Sequence, residues 1–436
     1  MSCPTNEPDV DFFVFRTPLA HQNTNKKDEK DMMNIAVMGY GTVGSGVVEV
    51  LERNRGVISQ RADGDIYVKY VLDLRDFPGD AIQERIVHDF EIVVNDPEIG
   101  IVVETMGGIE PAYTFVKRSL LAGKNVVTSN KALVAKHGAE LLAIAAEKHI
   151  NFLFEASVGG GIPILRPLQT SLTADVVEEI GGILNGTTNY MLTKMFYEGA
   201  DYDEVLKEAQ AKGYAERNPE ADVEGYDTCR KIAILCSLVL GKQVDFEDIF
   251  TEGITKISKE DMMYAKEAGM TIKLLASAKR NGDKMCAMVS PVLMKKTHPL
   301  YSVNDVFNAI FVRGNMLGDA MFYGSGAGKL PTASAVVADV IEAAKHPSDS
   351  MMGMWTAEKA LLQPVDGVSR QFFVRMRGDA DEKKAALEAA FGEICVLRAS
   401  GLTGEFGIIT GKMTEGTYKK QAETFPEIIQ MIRVED

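Results

Sequence analysis

The stretch NIAVMGYGTVGSGVVEVLERN, residues 34–54, decides the fold of this chain. Its pattern predicts a buried strand, a glycine turn of the form GxGxxG and an amphipathic helix. In such a unit the first glycine permits a tight turn, the second lets a pyrophosphate approach the backbone, and the third lets helix and strand pack closely. The anion then lies on unpaired N–H groups at the helix N-terminus.

The sequence therefore predicts a dinucleotide site at this turn, and a glycine turn that serves packing alone is the alternative. The expected cofactor-binding residues of the turn are Gly39, Gly41, Thr42, Val43 and Gly44.

Working outward, buried apolar segments alternate with helical patterns up to residue 156. The predicted strands are the segments at 66–72, 101–105, 125–129 and 151–156. A helix is expected from Pro111 to about Gly123, and a longer one from Lys131 to His149. Strands that alternate with helices in this way predict an α/β fold with a Rossmann-type, doubly wound parallel sheet.

An acid and a base follow the second predicted strand, and they bear on the choice of cofactor. Asp73 is placed to bind the ribose hydroxyls of NAD, whereas Arg75 could meet the 2′-phosphate of NADP. Asp73 lies farther from the glycine turn than is usual, so a surface acid is the alternative interpretation. The preference between NAD and NADP stays open.

After residue 157 the segments become longer and of mixed period, which predicts an α+β domain with a mostly antiparallel sheet. A glycine-rich stretch, YGSGAGKLPTA at 323–333, precedes another predicted helix at 334–344. The tail from residue 370 alternates strand and helix as βαββαβ, a pattern of ferredoxin type. The predicted units are an N-terminal extension (1–32), a dinucleotide-binding domain (33–156 plus about 320–345), a substrate and dimerisation domain (157–319), a linker (346–367) and the ferredoxin-like tail (368–436).

Composition narrows the class of protein. The 436 residues carry a net charge of -15, which argues against nucleic acid or an anionic membrane as the main partner. No apolar run is long enough for a membrane span. Five scattered cysteines without a CxxC pair argue against a disulfide framework, so we expect a cytoplasmic protein that acts on a small molecule.

The segment GYAERNPEADVEGYDTCRKIAILCSLVLG, residues 213–241, carries the candidate catalytic groups. Asp227 and Lys231 are spaced i,i+4 in the first turns of a helix that is otherwise apolar nearly all round. Glu216 and Asp222 lie in the loop that leads into it. Charges on a buried helix need partners, and an ordinary helix ion pair without a catalytic function is the alternative interpretation. Their concentration beside a nucleotide fold favours an active site.

At this point the sequence resembles homoserine dehydrogenase. The resemblance is carried, in family order, by GYGTVG (39–44), TSNK (128–131), EASVGGGIPI (155–164), GILNGTTNYML (182–192), GYAERNPEADVEGYDTCRK (213–231) and GSGAGKLPTA (324–333). It implies the reversible NAD(P)-dependent interconversion of L-aspartate 4-semialdehyde and L-homoserine. The tail resembles an ACT regulatory domain, although RGDAD at 377–381 replaces the usual PGVL-like loop, which leaves amino-acid binding there open.

The resemblance also implies roles for individual residues. Lys231 is the expected acid and base, and Lys131 is a second essential lysine near nicotinamide and substrate. Glu216 and Asp227 are expected to hold the amino-acid substrate, with Asp222 supporting its placement. Further cofactor contacts are expected at Thr105 and Gly326.

The chemistry agrees with a lysine acid. Hydride addition to an aldehyde leaves charge on oxygen, and an ammonium with an unperturbed pKa of about 10.4 is protonated at neutral pH yet far more acidic than an alcohol. In the reverse direction a neutral amine must take the proton, so oxidation should run better at alkaline pH.

Two glycine-containing stretches have a structural and a functional interpretation. The turn at 155–164 could be a domain hinge, and the resemblance adds a structural sodium ion held by Glu155 and by the carbonyls of Val158, Gly160 and Ile162. For residues 185–192, helix capping by Thr187 or Thr188 is one explanation and lining of the substrate pocket is the other.

Family analogy predicts a homodimer through the substrate-domain sheet, which the tail could raise to a homotetramer. Two other functions stay open from the sequence: another amino-acid semialdehyde oxidoreductase on the same scaffold, and a non-catalytic amino-acid sensor. A steady-state assay with homoserine separates all three.

Overall fold

The computed structural model describes residues 32–282, 284–349 and 355–435, so the predicted N-terminal extension lies almost entirely outside the described residues. The first region is a parallel sheet with helices on its faces. Its elements are β1 (Met33–Met38), α1 (Thr42–Arg53), α2 (Arg55–Arg61), β2 (Ile66–Leu72), β3 (Ile86–Val87), α3 (Phe90–Asn95), β4 (Ile99–Glu104), α4 (Ala112–Leu121), β5 (Asn125–Thr128), α5 (Lys131–Lys148) and β6 (Phe152–Leu153), with a 3-10 turn at Ala81–Arg85.

The strand order is β3-β2-β1-β4-β5-β6, and every neighbouring pair is parallel. This is the order of a Rossmann-type dinucleotide-binding fold, so the predicted fold class is confirmed. The strands β1, β4 and β5 are almost wholly buried, because helices cover both faces of the sheet.

The second region is the predicted α+β domain. Its elements are α6 (Ala156–Gly159), α7 (Leu165–Thr170), β7 (Val177–Ile183), α8 (Gly186–Glu198), α9 (Tyr202–Ala211), α10 (Glu220–Val223), α11 (Tyr226–Leu240), β8 (Lys242–Gln243), β9 (Phe250–Thr251), α12 (Lys259–Glu267), β10 (Met270–Asn281), β11 (Lys284–Lys295), β12 (Phe307–Gly314), β13 (Gly318–Ser325) and α13 (Lys329–Lys345), with 3-10 turns at Phe246–Asp248 and Pro299–Ser302.

The five long strands pair in the order β13-β12-β7-β10-β11, and each neighbouring pair is antiparallel. The chain then returns to the first region, where α13 packs along α1. Residues 320–325, which the sequence placed with the dinucleotide-binding domain, instead pair with β12. The return begins only at α13, because β13 completes the mixed sheet first.

The tail contains β14 (Thr356–Lys359), β15 (Ser369–Arg370), β16 (Phe372–Arg377), α14 (Ala380–Phe391), β17 (Cys395–Leu397), β18 (Glu405–Ile409), β19 (Met413–Thr414), α15 (Glu415–Ala422) and β20 (Ile428–Glu435), with a 3-10 turn at Val365–Gly367. The βαββαβ unit from β16 to β20 pairs in the order β20-β16-β18-β17, with antiparallel neighbours. Its topology is therefore the predicted ferredoxin type.

The strands of the tail belong to the same sheet as those of the second region. The sequence did not predict this connection. Strand β20 pairs in parallel with β11, matching Val292 to Arg433 and Met294 to Glu435, so the tail extends the mixed sheet. Arg433 is nearly fully buried there and makes a bidentate ion pair with Glu415, with contacts of 2.9 and 2.7 Å, while its third nitrogen lies 2.7 Å from Glu252. We call Arg433, Glu415 and Glu252 the junction cluster.

The segment predicted as a polar linker is packed where it is described. The indole N–H of Trp355 donates to Gln243 (2.9 Å), and its ring lies edge-on to Phe154. Strand β14 pairs with β8. Within the described ranges, no helix has the length and apolar character needed to cross a bilayer.

Candidate active site

The glycine turn after β1 has the geometry that the motif predicts. Gly39 has a positive φ of 93°, and α1 begins directly after Gly41. A Cβ added to Gly44 would lie 1.9 Å from the carbonyl oxygen of Gly39, so only glycine lets the helix pack on the turn. A Cβ added to Gly41 would meet nothing within 4 Å. The turn therefore presents an open backbone face to a ligand.

Thr105 follows β4 at the same edge of the sheet. Its hydroxyl lies 3.1 Å from the carbonyl of Met38 and 3.0 Å from that of Gly39, so it braces the glycine turn. The turn and Thr105 open onto a cavity of about 490 Å³. Apolar side chains form most of the remaining wall of this cavity: Leu72, Leu74, Phe90, Met106, Pro111 and Phe115. A mostly apolar slot beside a glycine turn suits an adenine ring.

Asp73 and Arg75 form one interacting pair at the rim of this cavity. The carboxylate of Asp73 accepts hydrogen bonds from the Tyr40 backbone N–H (2.8 Å) and from Arg75 Nε and Nη2 (both 2.9 Å). The guanidinium of Arg75 holds the pKa of Asp73 well below its usual range. The side chain of Asp73 is 9% exposed whereas that of Arg75 is 62% exposed, so the guanidinium is the group that can move toward a ligand.

The candidate catalytic groups meet where α5 and α11 begin. Asp227 is buried in the first turn of α11, and its Oδ2 lies 2.8 Å from Lys231 Nζ. Its Oδ1 lies 2.7 Å from the ammonium of Lys131, which opens α5 directly after β5. Lys231 also donates to the carbonyl of Leu184 (2.7 Å). We call Lys131, Asp227 and Lys231 the catalytic cluster.

Asn185 completes this arrangement and was not singled out from the sequence. Its Oδ1 accepts from the Thr188 backbone N–H (2.9 Å) and caps α8, so the expectation that Thr187 or Thr188 is the cap is wrong. Its Nδ2 donates to Asp222 Oδ1 (2.8 Å) and to Asp227 Oδ2 (3.0 Å). Asparagine is a preferred N-cap residue, so its place between a strand and a helix could have indicated the cap. It could not have indicated the contacts to both acids.

Burial and neighbouring charge set the protonation of the cluster. Burial lowers the pKa of Lys231, while the Asp227 carboxylate opposes that shift. Burial alone would raise the pKa of Asp227, but the two lysines hold it well below its usual range. Burial would likewise lower the pKa of Lys131, but Asp227 raises it above its ordinary value. Of the two lysines, Lys231 is therefore the one with the more acidic ammonium.

These groups line a pocket of about 560 Å³ between the two regions. It collects Lys131, Lys231, Glu216, Asp222 and Asp227 on its walls, and Val43 and Gly326 border it as well. Glu216 is exposed at the rim, and burial raises the pKa of Asp222. The predicted catalytic and substrate-binding residues therefore line the cavity at the catalytic cluster, and Gly39, Gly41, Asp73, Arg75 and Thr105 line the cavity at the glycine turn.

The EASVGGGIPI turn has a defined structural function. The buried carboxylate of Glu155 accepts three backbone N–H bonds at the start of α7, from Ile164 (2.5 Å), Leu165 and Arg166 (both 2.8 Å). Oε1 accepts two of these bonds and Oε2 accepts one. Among the backbone hydrogen bonds of the described ranges, none outside regular helices and strands ends on the carbonyl of Gly160 or Ile162. Carboxylate oxygens and backbone carbonyl oxygens are the ligands that hard cations take.

Comparison with known proteins points to one family. The family model described as homoserine dehydrogenase, NAD binding domain, matches residues 39–155, and the model described as homoserine dehydrogenase matches residues 163–341. The homoserine dehydrogenase of Synechocystis is 40% identical over 430 residues, which cover 92% of this chain and 99% of the relative. That of Bacillus subtilis is 41% identical over 352 residues, covering 78% of this chain and 80% of the relative.

Solved structures give the same result. A homoserine dehydrogenase from Thiobacillus denitrificans matches with a TM-score of 0.86 and 35% identity, covering 93% of this chain and 99% of that one. A hyperthermophilic archaeal homoserine dehydrogenase in complex with NADPH matches with a TM-score of 0.62 and 27% identity, covering 72% of this chain and 98% of that one.

Proposed function

The chain belongs to the homoserine dehydrogenase family, and on that premise we propose how its pocket performs the reaction. The enzyme is an NAD(P)-dependent oxidoreductase that interconverts L-aspartate 4-semialdehyde and L-homoserine, a step of threonine and methionine biosynthesis. When bound, nicotinamide supplies or accepts the hydride. The residues of the chain orient the amino acid, exclude water and move one proton.

Lys231 is the proton donor and acceptor in this proposal. As the aldehyde carbon gains the hydride, the carbonyl oxygen takes a proton from the Lys231 ammonium, and the reverse step returns that proton to the neutral amine. Two of its three N–H groups are used by Leu184 and Asp227, so one remains for the substrate. Burial lowers its pKa, which favours both donation to the aldehyde and, at alkaline pH, uptake from homoserine.

Lys131 supports the same oxygen, and Asp227 orients both lysines. The carboxylate of Asp227 accepts from Lys131, Lys231 and Asn185, so much of its capacity is spent within the protein. Asp227 contacts the substrate through the hydrogen-bond acceptor capacity that its carboxylate retains. Lys131 pairs with Asp227 and its side chain is 42% exposed, so its other N–H groups can reach the pocket.

The amino group of the substrate is held by acids. Glu216 stands at the rim of the pocket, and Asp222 keeps one carboxylate oxygen beyond the one that binds Asn185. An ammonium group has three donors and is best bound by carboxylates. Glu216 therefore binds the α-ammonium, and Asp222 supports its placement.

Both NAD and NADP are accepted in this proposal. The pyrophosphate lies on the turn formed by Gly39, Gly41, Thr42, Val43 and Gly44, with further contacts at Thr105 and Gly326. Asp73 can receive ribose hydroxyls if Arg75 turns outward, and the same exposed guanidinium can bind a 2′-phosphate.

A structural sodium ion is proposed at the turn after β6. Glu155 and the carbonyls of Val158, Gly160 and Ile162 would hold it. The remaining capacity of Glu155 Oε2 and the unused carbonyls of Gly160 and Ile162 support the assignment. The ion would fix the turn that borders the catalytic pocket and would take no part in the proton transfer.

The proposed units are the dinucleotide-binding domain (33–156 with α13), the substrate and dimerisation domain (157–325), the packed connector (346–367) and an ACT-like tail (368–436). A homodimer or homotetramer in the cytoplasm is proposed. Exposed apolar side chains on the edge of the mixed sheet support the dimer: Phe307, Met321 and Tyr323. The thiols of the four described cysteines are free, which fits a reducing compartment.

The observation that carries the proposed mechanism is the buried carboxylate of Asp227 shared by two lysines beside a dinucleotide turn. Steady-state assays with homoserine and with each cofactor, with and without threonine, test the function. We expect homoserine oxidation with NAD and with NADP. An enzyme that turns over another semialdehyde but not homoserine, or that binds NAD(P)H without turnover, contradicts the proposal.

A further inference from the structure

Asn308, at the start of β12, has a buried side-chain amide without a partner. The residue is 2% exposed, and its Oδ1 has no hydrogen-bond donor. Within the described ranges no acceptor bonds its Nδ2 either. A buried amide oxygen that accepts no hydrogen bond is costly, because it has lost water without gaining a partner. Such an amide at a pocket wall calls for a ligand.

The position of Asn308 indicates which part of the pocket it serves. It borders the 560 Å³ pocket, and its amide packs so closely on Gly326 that an added Cβ there would lie 1.9 Å from Nδ2. The turn at Gly326 leads into α13, which packs along α1, the helix of the glycine turn. Val43 of α1 borders the same pocket. Asn308 therefore stands on the wall that continues from the dinucleotide site.

The α-ammonium and the reacting oxygen of the substrate already have other partners. The acids for the α-ammonium and the lysines for the reacting oxygen come from α5, α11 and the loop before α11. A carboxylate would use only the Nδ2 donors of Asn308, and an ammonium would use only its Oδ1 acceptor. A primary carboxamide uses both. The nicotinamide ring carries such a group.

We propose that Asn308 is a cofactor-binding residue that pairs, amide to amide, with the carboxamide of nicotinamide. This inference rests on the proposed function, because that function brings the nicotinamide into this pocket. The pairing fixes the rotation of the ring about its long axis, and with it the face that is turned to the substrate. Asn308 is thus a specificity-determining residue for the carboxamide.

The test compares two dinucleotides in binding rather than in turnover. NADH and the reduced 3-acetylpyridine analogue differ in one group, because the analogue keeps the carbonyl but replaces the amide N–H₂ by methyl. Dissociation constants measured by calorimetry give a ratio, analogue over NADH. For the natural enzyme we expect a ratio of about 5 to 10, the value of one hydrogen bond to Oδ1.

Two substitutions distinguish the acceptor Oδ1 of Asn308 from its donor Nδ2. Asn308→Ala should bring the ratio to about 1, since neither hydrogen bond remains. Asn308→Asp keeps an acceptor for the N–H₂ group but loses the donor to the carbonyl, so both dissociation constants should rise while the ratio is retained. Asn281→Ala, which removes an exposed amide that bonds Gln363, is the matched control and should leave the natural ratio.

A natural ratio of 1, or an unchanged ratio in Asn308→Ala, overturns the inference. If the alanine variant does not fold, unchanged dissociation constants for both dinucleotides in Asn308→Asp overturn the inference. The proposed function is judged separately by homoserine oxidation in the natural enzyme. Turnover of homoserine together with an unchanged ratio refutes the role of Asn308 alone.

Discussion

Two buried charge clusters in this chain differ in how completely their hydrogen bonds are paired. In the junction cluster the guanidinium of Arg433 meets two carboxylates, and a bidentate contact to Glu415 fixes its plane. In the catalytic cluster two ammonium groups share the single carboxylate of Asp227. In the first arrangement Nε, Nη1 and Nη2 of the guanidinium all pair with carboxylate oxygens, and the cluster serves the fold. The second leaves N–H groups and one excess positive charge, which are available to a substrate.

The comparison has an energetic basis. A buried ion pair with matched partners gains little net stability but is costly to break, because the remaining charge stays buried. A buried lysine that shares one carboxylate with a second lysine has a shifted pKa, and shifted pKa values are typical of groups that transfer protons. The two clusters should therefore respond in opposite ways to the loss of one cation.

The largest effect is expected when the proton donor is removed. Lys231→Met should lower turnover about 10²- to 10⁴-fold, the usual contribution of a positioned acid and base. Asp227 keeps Lys131 and Asn185, so the melting temperature should stay within about 4 °C. Stopped-flow or steady-state rates with a thermal melt measure both. Near-normal turnover in this variant would refute the assignment of Lys231.

The matching change in the junction cluster should affect stability and not chemistry. Arg433→Met removes the bidentate partner of the buried carboxylate of Glu415 and leaves it the contact to Lys419 at 3.3 Å, so the free energy of unfolding should fall by about 3 kcal/mol. Denaturant titration measures the loss. KM values for homoserine and for the cofactor should be unchanged in the folded fraction. A stable variant with altered KM values would show that the two clusters are not separate in function.

A smaller and more specific effect is expected on the pH profile. The carboxylate of Asp227 raises the pKa of Lys231 against the effect of burial, so Asp227→Asn should lower that pKa further. Homoserine oxidation needs the neutral amine and therefore increases as pH rises through this pKa. The increase in kcat/KM should move to lower pH by about one to three units.

Asp222→Asn is the graded control for this shift. Asp222 also raises the pKa of Lys231, but more weakly than Asp227 does, so its variant should move the profile in the same direction by less. A profile that moves to higher pH in Asp227→Asn, or does not move, would contradict the proposed role of Lys231 as base.

The parallel sheet could be predicted because its signal is local. The fingerprint at 39–44 lies on the turn between β1 and α1. The uninterrupted apolar segments form strands in the structure, in the order in which the sequence predicted them. The pairing of β20 with β11 had no such signal. It joins only three residue pairs separated by about 140 positions in the chain, and nothing in either segment specifies the other.

In the candidate site, too, contacts within one helix could be predicted from the sequence, whereas contacts between elements could not. The spacing of Asp227 and Lys231 on one helix face follows from helix geometry, so their contact could be predicted. That Lys131 reaches the other oxygen of the same carboxylate depends on the packing of α5 against α11. The link from Asn185 to Asp222 and Asp227 likewise depends on tertiary placement, because α8 and α11 lie about 40 residues apart.

The ladder between β11 and β20 has a consequence for any shortened form of this enzyme. Without the last strand, the backbone N–H and C=O groups at 292–294 would face water as an open sheet border. Open borders recruit strands from other molecules, and this one is flanked by apolar side chains such as Leu293 and Met294. A chain cut before the tail should therefore tend to aggregate, even where its catalytic groups remain intact.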